Sequence, residues 1–185
     1  MQFNWHDSNH TPTNDPAAGA ENFMKPFPVY VAYYDNPADQ SQRVSRMLFD
    51  TLVSARRYLD VKVQDHGPCN DCFRRLPGRH SFKEVYNDPN VWINYMDNPN
   101  GPWGFTNPAS KEIAIHARAL TRGYLWVASV MVHELAHING ASGEKTNQDA
   151  ENTLKFCLLA SQFDPNVLGT IREFSTPDDL DTAYA

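Results

Sequence analysis

The chain has 185 residues, 41% of them hydrophobic and 12% aromatic, with a formal net charge of -6. That length and apolar content predict one folded domain with a sizeable core and exclude a wholly disordered chain. The acidic balance disfavours a nucleic-acid partner, which needs a basic face, and no stretch is long and apolar enough to span a bilayer.

Residues 1–26 are polar, carry Pro, Asn, Asp and Gly without periodicity, and read as a flexible or surface-draped lead. Residues 1–7 have no basic n-region and no apolar h-region, so no Sec-type signal is visible. The expected location is cytoplasmic as made, with export by a signal-independent route left open. The folded domain is expected over 27–175, with an acidic tail at 176–185.

Residues 28–34 are apolar, β-branched and aromatic, as in a buried strand. Asn36 and Pro37 suit the start of a helix. Val44, Met47, Leu48, Leu52, Ala55 and Leu59 recur at helical spacing, so 37–59 reads as an amphipathic helix. Residues 61–64 read as a short strand, which would complete a βαβ unit.

From 65 to 83 the chain reads as loop, and its basic cluster Arg74, Arg75, Arg79 and His80 as a solvated face. Cys69 and Cys72 form one CxxC, half of a typical four-ligand zinc site, which His80 or Cys157 could complete. A disulfide involving Cys157, free thiols and a weaker redox role stay open. Residues 91–96 alternate as a strand does, 97–110 read as a long loop rich in Pro, Gly and Asn, and 112–116 read as another short strand.

Thr121 can cap a helix running from Gly123 to His137, apolar on nearly all sides and therefore buried. Asn139 and Gly140 stop it. Asn147 can cap a further helix reaching about Ser161, and Asp164-Pro165 starts a short one.

The central helix closes on His133-Glu134-Leu135-Ala136-His137. Two His four apart lie on one face, one turn apart, so their imidazoles can converge on one zinc ion at about 2.0–2.1 Å each. The Glu beside the first His can hold a water there and act as general base. With seven His in the chain, the pattern arises by chance with a probability of about 0.01, so spacing alone does not decide. The surroundings weigh more, because burying two imidazoles and a carboxylate in an apolar helix is costly without partners. The plain alternative is a pair of satisfied core His with a Glu bonded to backbone.

The segment 133–137 resembles the active-site helix of the zincin metallopeptidases, and the likeness covers 110–160. It implies an α+β, compact single-domain fold: a small mixed sheet packed on a buried active-site helix, with C-terminal helices. The strand before the helix, 112–116 here, would be the substrate-binding rim. The implied activity is hydrolysis of a protein or peptide substrate, with Zn2+ held by His133 and His137, Glu134 as catalytic base and no organic cofactor.

A catalytic zinc usually has three protein ligands. The metzincin branch is disfavoured, because Gly143 stands where its third His belongs and no Met follows Met131 to form a Met-turn. The gluzincin branch takes a Glu from a downstream helix. Glu151 borders the inward face formed by Ala150, Leu154 and Leu158 and is the preferred third ligand. Asp149 is the alternative, as in aspzincins, and Glu144 a weaker one. His116, Tyr124 and Tyr184 are available to stabilise an oxyanion. Two further readings stay open: a secreted effector toxin of bacterial type, whose partner would include an inhibitor or immunity protein, and a non-catalytic zinc-binding module.

Overall fold

The computed structural model describes residues 1–5, 8–13, 24–27, 40–97, 102–142 and 148–159. The expected strand at 28–34, the caps at Asn36 and Asn147, the helix at Asp164, the tail, Glu144 and Tyr184 lie outside them.

Helix α1 spans Gln40–Tyr58 and buries Leu48, Leu52 and Ala55, the apolar stripe that its spacing predicts. The chain then continues as a π-helical turn, Leu59–Val63, in place of the expected strand at 61–64. Leu59 and Val63 are both fully buried while Val61 is 68% exposed, so helical spacing wins over alternation. This removes the second strand of the expected βαβ unit.

The stretch expected as loop holds two helices, α2 (Gly67–Arg74) and α3 (Phe82–Asn87). Pro68 sits in the first turn of α2, where a missing N–H costs nothing. Ser81 and Glu84 cap α3 reciprocally: Ser81 Oγ accepts from the Glu84 N–H, and Glu84 Oε2 accepts from the Ser81 N–H at 2.7 Å.

The sheet has four strands: β1 (Gln2–Phe3), β2 (Trp92–Met96), β3 (Gly104–Asn107) and β4 (Glu112–His116), in the order β1-β2-β4-β3. The first three in that order run parallel, and β3 is an antiparallel edge. Two expectations change. Gln2 and Phe3 belong to the sheet and not to a loose lead, because Phe3 buries its ring against Phe27. Residues 104–107 form a strand inside the expected loop, paired with β4 despite the surrounding Pro and Gly.

A short helix α4 (Ala117–Leu120) leads into α5 (Tyr124–Ile138), and α6 (Asp149–Phe156) follows. Thr121 does not cap α5. It ends α4, its hydroxyl donating to the Arg118 carbonyl, and Gly123 with φ +97 starts α5. Every residue of α5 from Trp126 to His137 is buried, so this helix is apolar all round and central. It packs against α1, α3, α4 and α6 and against β3 and β4. The fold is α+β, a small mixed sheet on a buried helix. Ile93, Ile113 and Ile115 face the helices.

The opposite face of the sheet carries Asn94, Glu112 and His116, all buried. Asn4, His10 and Thr13 lie over it. His10 stacks on Trp92 with ring centroids 4.1 Å apart. A disulfide joins Cys69 of α2 to Cys157 just past α6. Closing a loop of 88 residues stabilises the fold by about 3–5 kcal/mol in the chain-entropy account. No CxxC zinc site exists, since Cys69 is oxidised and Cys72 is a buried thiol whose pKa burial pushes up. Among the described residues no helix is long and apolar enough to cross a membrane.

Candidate active site

The last turn of α5 carries His133, Glu134 and His137, with only 1%, 3% and 9% of their surfaces exposed. The two imidazoles meet through their Nε2 atoms at 3.0 Å. The helix end sets this geometry. Gly140 has φ +85, in the left-handed region that glycine enters without cost. Its N–H donates to the His137 carbonyl and the Ala141 N–H to the Ala136 carbonyl, each at 2.9 Å. That pair of bonds is a Schellman termination. It turns the Ala141 carbonyl back toward the helix, where it accepts from His137 Nδ1 at 3.1 Å.

A carbonyl can only accept, so His137 Nδ1 carries a proton. One Nε2 donates to the other across the gap. His133 Nδ1 is buried and has no hydrogen-bond partner among the described residues. Burial, and next the neighbouring His137, hold the His133 pKa well below its ordinary value. His133 is thus held neutral, the state a metal ligand needs.

Two nitrogens on one tetrahedral zinc lie about 3.3 Å apart, and the pair observed at 3.0 Å is within a few tenths of that. His137 also has the backbone carbonyl partner that orients a ligating imidazole. His133 lacks one. The two-histidine half of a zinc site therefore fits these residues.

Glu134 points from α5 to the edge strand. Its Oε2 accepts from Thr106 Oγ1 at 2.5 Å, and the same hydroxyl lies 3.2 Å from the Glu134 carbonyl. Gly104 makes the room: a Cβ there would stand 2.4 Å from Glu134 Oε1 and 2.6 Å from Val130 Cγ1. The strand beside the helix is thus β3. The expected rim strand, 112–116, is interior, flanked by β2 and β3, because the loop reading of 97–110 hid the true edge.

Asn139 fixes the end of α5 from outside. Its Nδ2 donates to the carbonyls of Phe73 and His80, each at 2.8 Å, and its own carbonyl accepts from the Gly78 N–H at 2.8 Å. The His80 loop is thereby pinned to the turn that orients His137.

Among the described residues, the other expected site residues are not gathered at the pair. Among the described residues no three His, Cys, Asp or Glu side chains come together closely enough to hold a metal. Glu151 is half-buried on α6 with Oε2 out of solvent, and Asp149 is exposed. His116 lies on the opposite face of the sheet, its Nδ1 accepting from the Arg118 N–H at 2.9 Å. Burial, then Arg118, pushes its pKa down to about 4. Tyr124 is exposed at the far end of α5, about 15 Å along the axis from Glu134.

Sequence reasoning missed Thr106, Gly104, Asn139 and the Ala141 carbonyl. Gly104 and Thr106 stand two apart, as residues on one face of a strand do. Asn139 and Gly140 were visible as a helix stop, but a long-range clamp and a backbone carbonyl leave no motif. No protein-family model matches the chain, and no curated protein or solved structure matches it.

Proposed function

We propose that the chain is a zinc-dependent metallopeptidase of zincin type, with His133 and His137 as metal ligands and Glu134 as general base. The observation that carries this is the convergence of two buried imidazoles at 3.0 Å, one oriented by a backbone carbonyl, beside a buried carboxylate held against an edge strand. A core built only for stability has no use for two buried rings that meet each other and leave His133 Nδ1 without a partner among the described residues.

When bound, zinc supplies a Lewis acid that polarises a carbonyl and acidifies water. The chain's own part is proton movement and alignment. Glu134 would take a proton from the attacking water at a carboxylate oxygen and return it to the amine nitrogen as the peptide C–N bond breaks. Thr106 would hold the carboxylate in place meanwhile. β3, the last strand in the sheet order, would align an extended peptide by strand addition. Glu151 remains the proposed third ligand and Asp149 its alternative.

The Cys69–Cys157 bond favours an oxidising destination and so a secreted effector protease, with an inhibitor or immunity protein as partner. A second reading, a zinc-binding module without turnover, is favoured by the depth of Glu134, 3% exposed. One experiment separates them. Zinc analysis and peptidase assays on the chain and on Glu134→Gln should give one zinc per chain in both and a loss of about a thousandfold or more in kcat/KM for the variant. Zinc without turnover in the unaltered chain selects the module, and absence of any tightly bound metal removes both readings.

A further inference from the structure

One cluster outside the histidine pair lies on the same track. Trp103 directly precedes β3, and its ring meets Trp126 of α5 edge-on at 5.1 Å. Two guanidinium groups sit on these indoles: Arg118 over Trp103 at 4.1 Å, and Arg122 over Trp103 at 5.4 Å and over Trp126 at 5.7 Å. Arg122 is exposed, with no carboxylate within ion-pair distance among the described residues.

The strand and the helix run side by side from this cluster to the site. Trp103 meets Trp126, Gly104 lies against Val130 and Glu134, and Thr106 bonds Glu134. Trp126 and Glu134 are two turns apart, about 12 Å along the axis. In an extended chain that is three to four residues, at about 3.3 Å each.

We propose that Trp103, Trp126, Arg118 and Arg122 form a subsite for a carboxylate side chain, so that the enzyme selects peptides with an acidic residue about three positions from the cleaved bond. The proposal rests on the peptidase reading. The exposed Arg122 guanidinium, with no carboxylate within ion-pair distance among the described residues, offers its charge to an incoming anion. Stacking holds the planar guanidinium donors in place before the ligand arrives, which lowers the cost of binding a carboxylate. An acidic side chain reaching Arg122 from a peptide laid along β3 also meets the charge without leaving the strand's register.

The test uses the full chain loaded with zinc and blocked octapeptides in which one Glu, or Gln in its place, steps through the positions on either side of the cleaved bond. Glu about three residues from that bond should raise kcat/KM roughly tenfold over Gln, other positions should not, and Arg122→Gln should bring the ratio to about one. A ratio near one at every position, or a ratio that survives Arg122→Gln, overturns the subsite. If no peptide is cleaved, the catalytic reading has failed separately, and the subsite is judged by indole fluorescence titrated with the same peptides. A saturable change with the Glu peptide, absent with the Gln peptide and lost in Arg122→Gln and Trp103→Phe, supports it. An equal response to both peptides, or none to either, overturns it.

Discussion

The two faces of the sheet bury polar groups in different ways. On the outer face, Asn94 accepts from Asn4 Nδ2 at 2.7 Å, and His116 accepts from a backbone N–H. Glu112 is met by His10 Nε2 at 2.6 Å, by Ser110 Oγ at 2.6 Å and by the Thr13 N–H at 2.9 Å. On the helical side, His133 and His137 face each other, and His133 Nδ1 has no partner among the described residues. The outer cluster ties the N-terminal segment to the sheet and satisfies itself with the chain's own atoms. The inner one pairs two imidazoles with each other and leaves one ring nitrogen without a partner among the described residues. Burial of charge alone does not mark a site; what marks it is how that charge is answered.

The comparison breaks first if the two buried glutamates respond alike. Glu134→Gln should remove cleavage while shifting stability by less than about 1 kcal/mol, because an amide oxygen still accepts from Thr106. Glu112→Gln should do the reverse. It replaces a carboxylate that gathers several donors, one of them a histidine, and should cost about 2–3 kcal/mol of stability. Denaturant unfolding of both variants beside peptidase assays reads the two effects. Equal stability losses would mean that both carboxylates are structural.

The outer face also makes a prediction about pH. His116 titrates near its ordinary 6.5 in the unfolded chain but only at about 4 in the fold, chiefly through burial. Between those values the unfolded state binds the extra proton. Stability is therefore retained above about pH 6.5 and lost as the pH falls toward 4, with a slope of up to about 1.4 kcal/mol per pH unit. The buried His133 adds to the slope in the same direction, so the comparison is with His116→Gln in metal-free protein. Unfolding free energies between pH 7 and 4 should fall less steeply in the variant, by about that amount per unit. Parallel curves would place no titration at His116.

Much of the frame was legible because it rests on periodicity. Leu48, Leu52 and Ala55 bury as their spacing demands, and 91–96 alternates and is a strand. The errors share a cause, in that composition was read ahead of pattern. Pro68 and Gly67 signalled a loop at what is the first turn of a helix, and Ser81 with Glu84 was a capping box left unread. The Pro, Gly and Asn around 104–107 hid a strand whose partner, β4, stabilises it from outside its own sequence. At the site, the motif gave the residues that do chemistry. It gave none of those that hold them, since Thr106 and Asn139 act across 28 and 66 positions of sequence.

The smallest effect concerns how the inner cluster is aimed. Gly140 supplies the left-handed turn, with φ +85, that brings the Ala141 carbonyl to His137 Nδ1. A Cβ there would also come within 3.2 Å of the Gly78 nitrogen and of Pro77 Cβ. Gly140→Ala should therefore cost about 1–2 kcal/mol of stability, and Gly140→Asn less, because Asn enters that backbone region more readily. The orienting bond gives a second readout. If the carbonyl fixes the tautomer of His137, Gly140→Ala should also weaken zinc binding by roughly tenfold, as loss of a ligand's supporting hydrogen bond does. Thermal unfolding without zinc and competitive zinc titration measure the two effects apart. A destabilised variant that binds zinc as tightly as the unaltered chain would show that the turn stabilises the helix end without aiming the ligand.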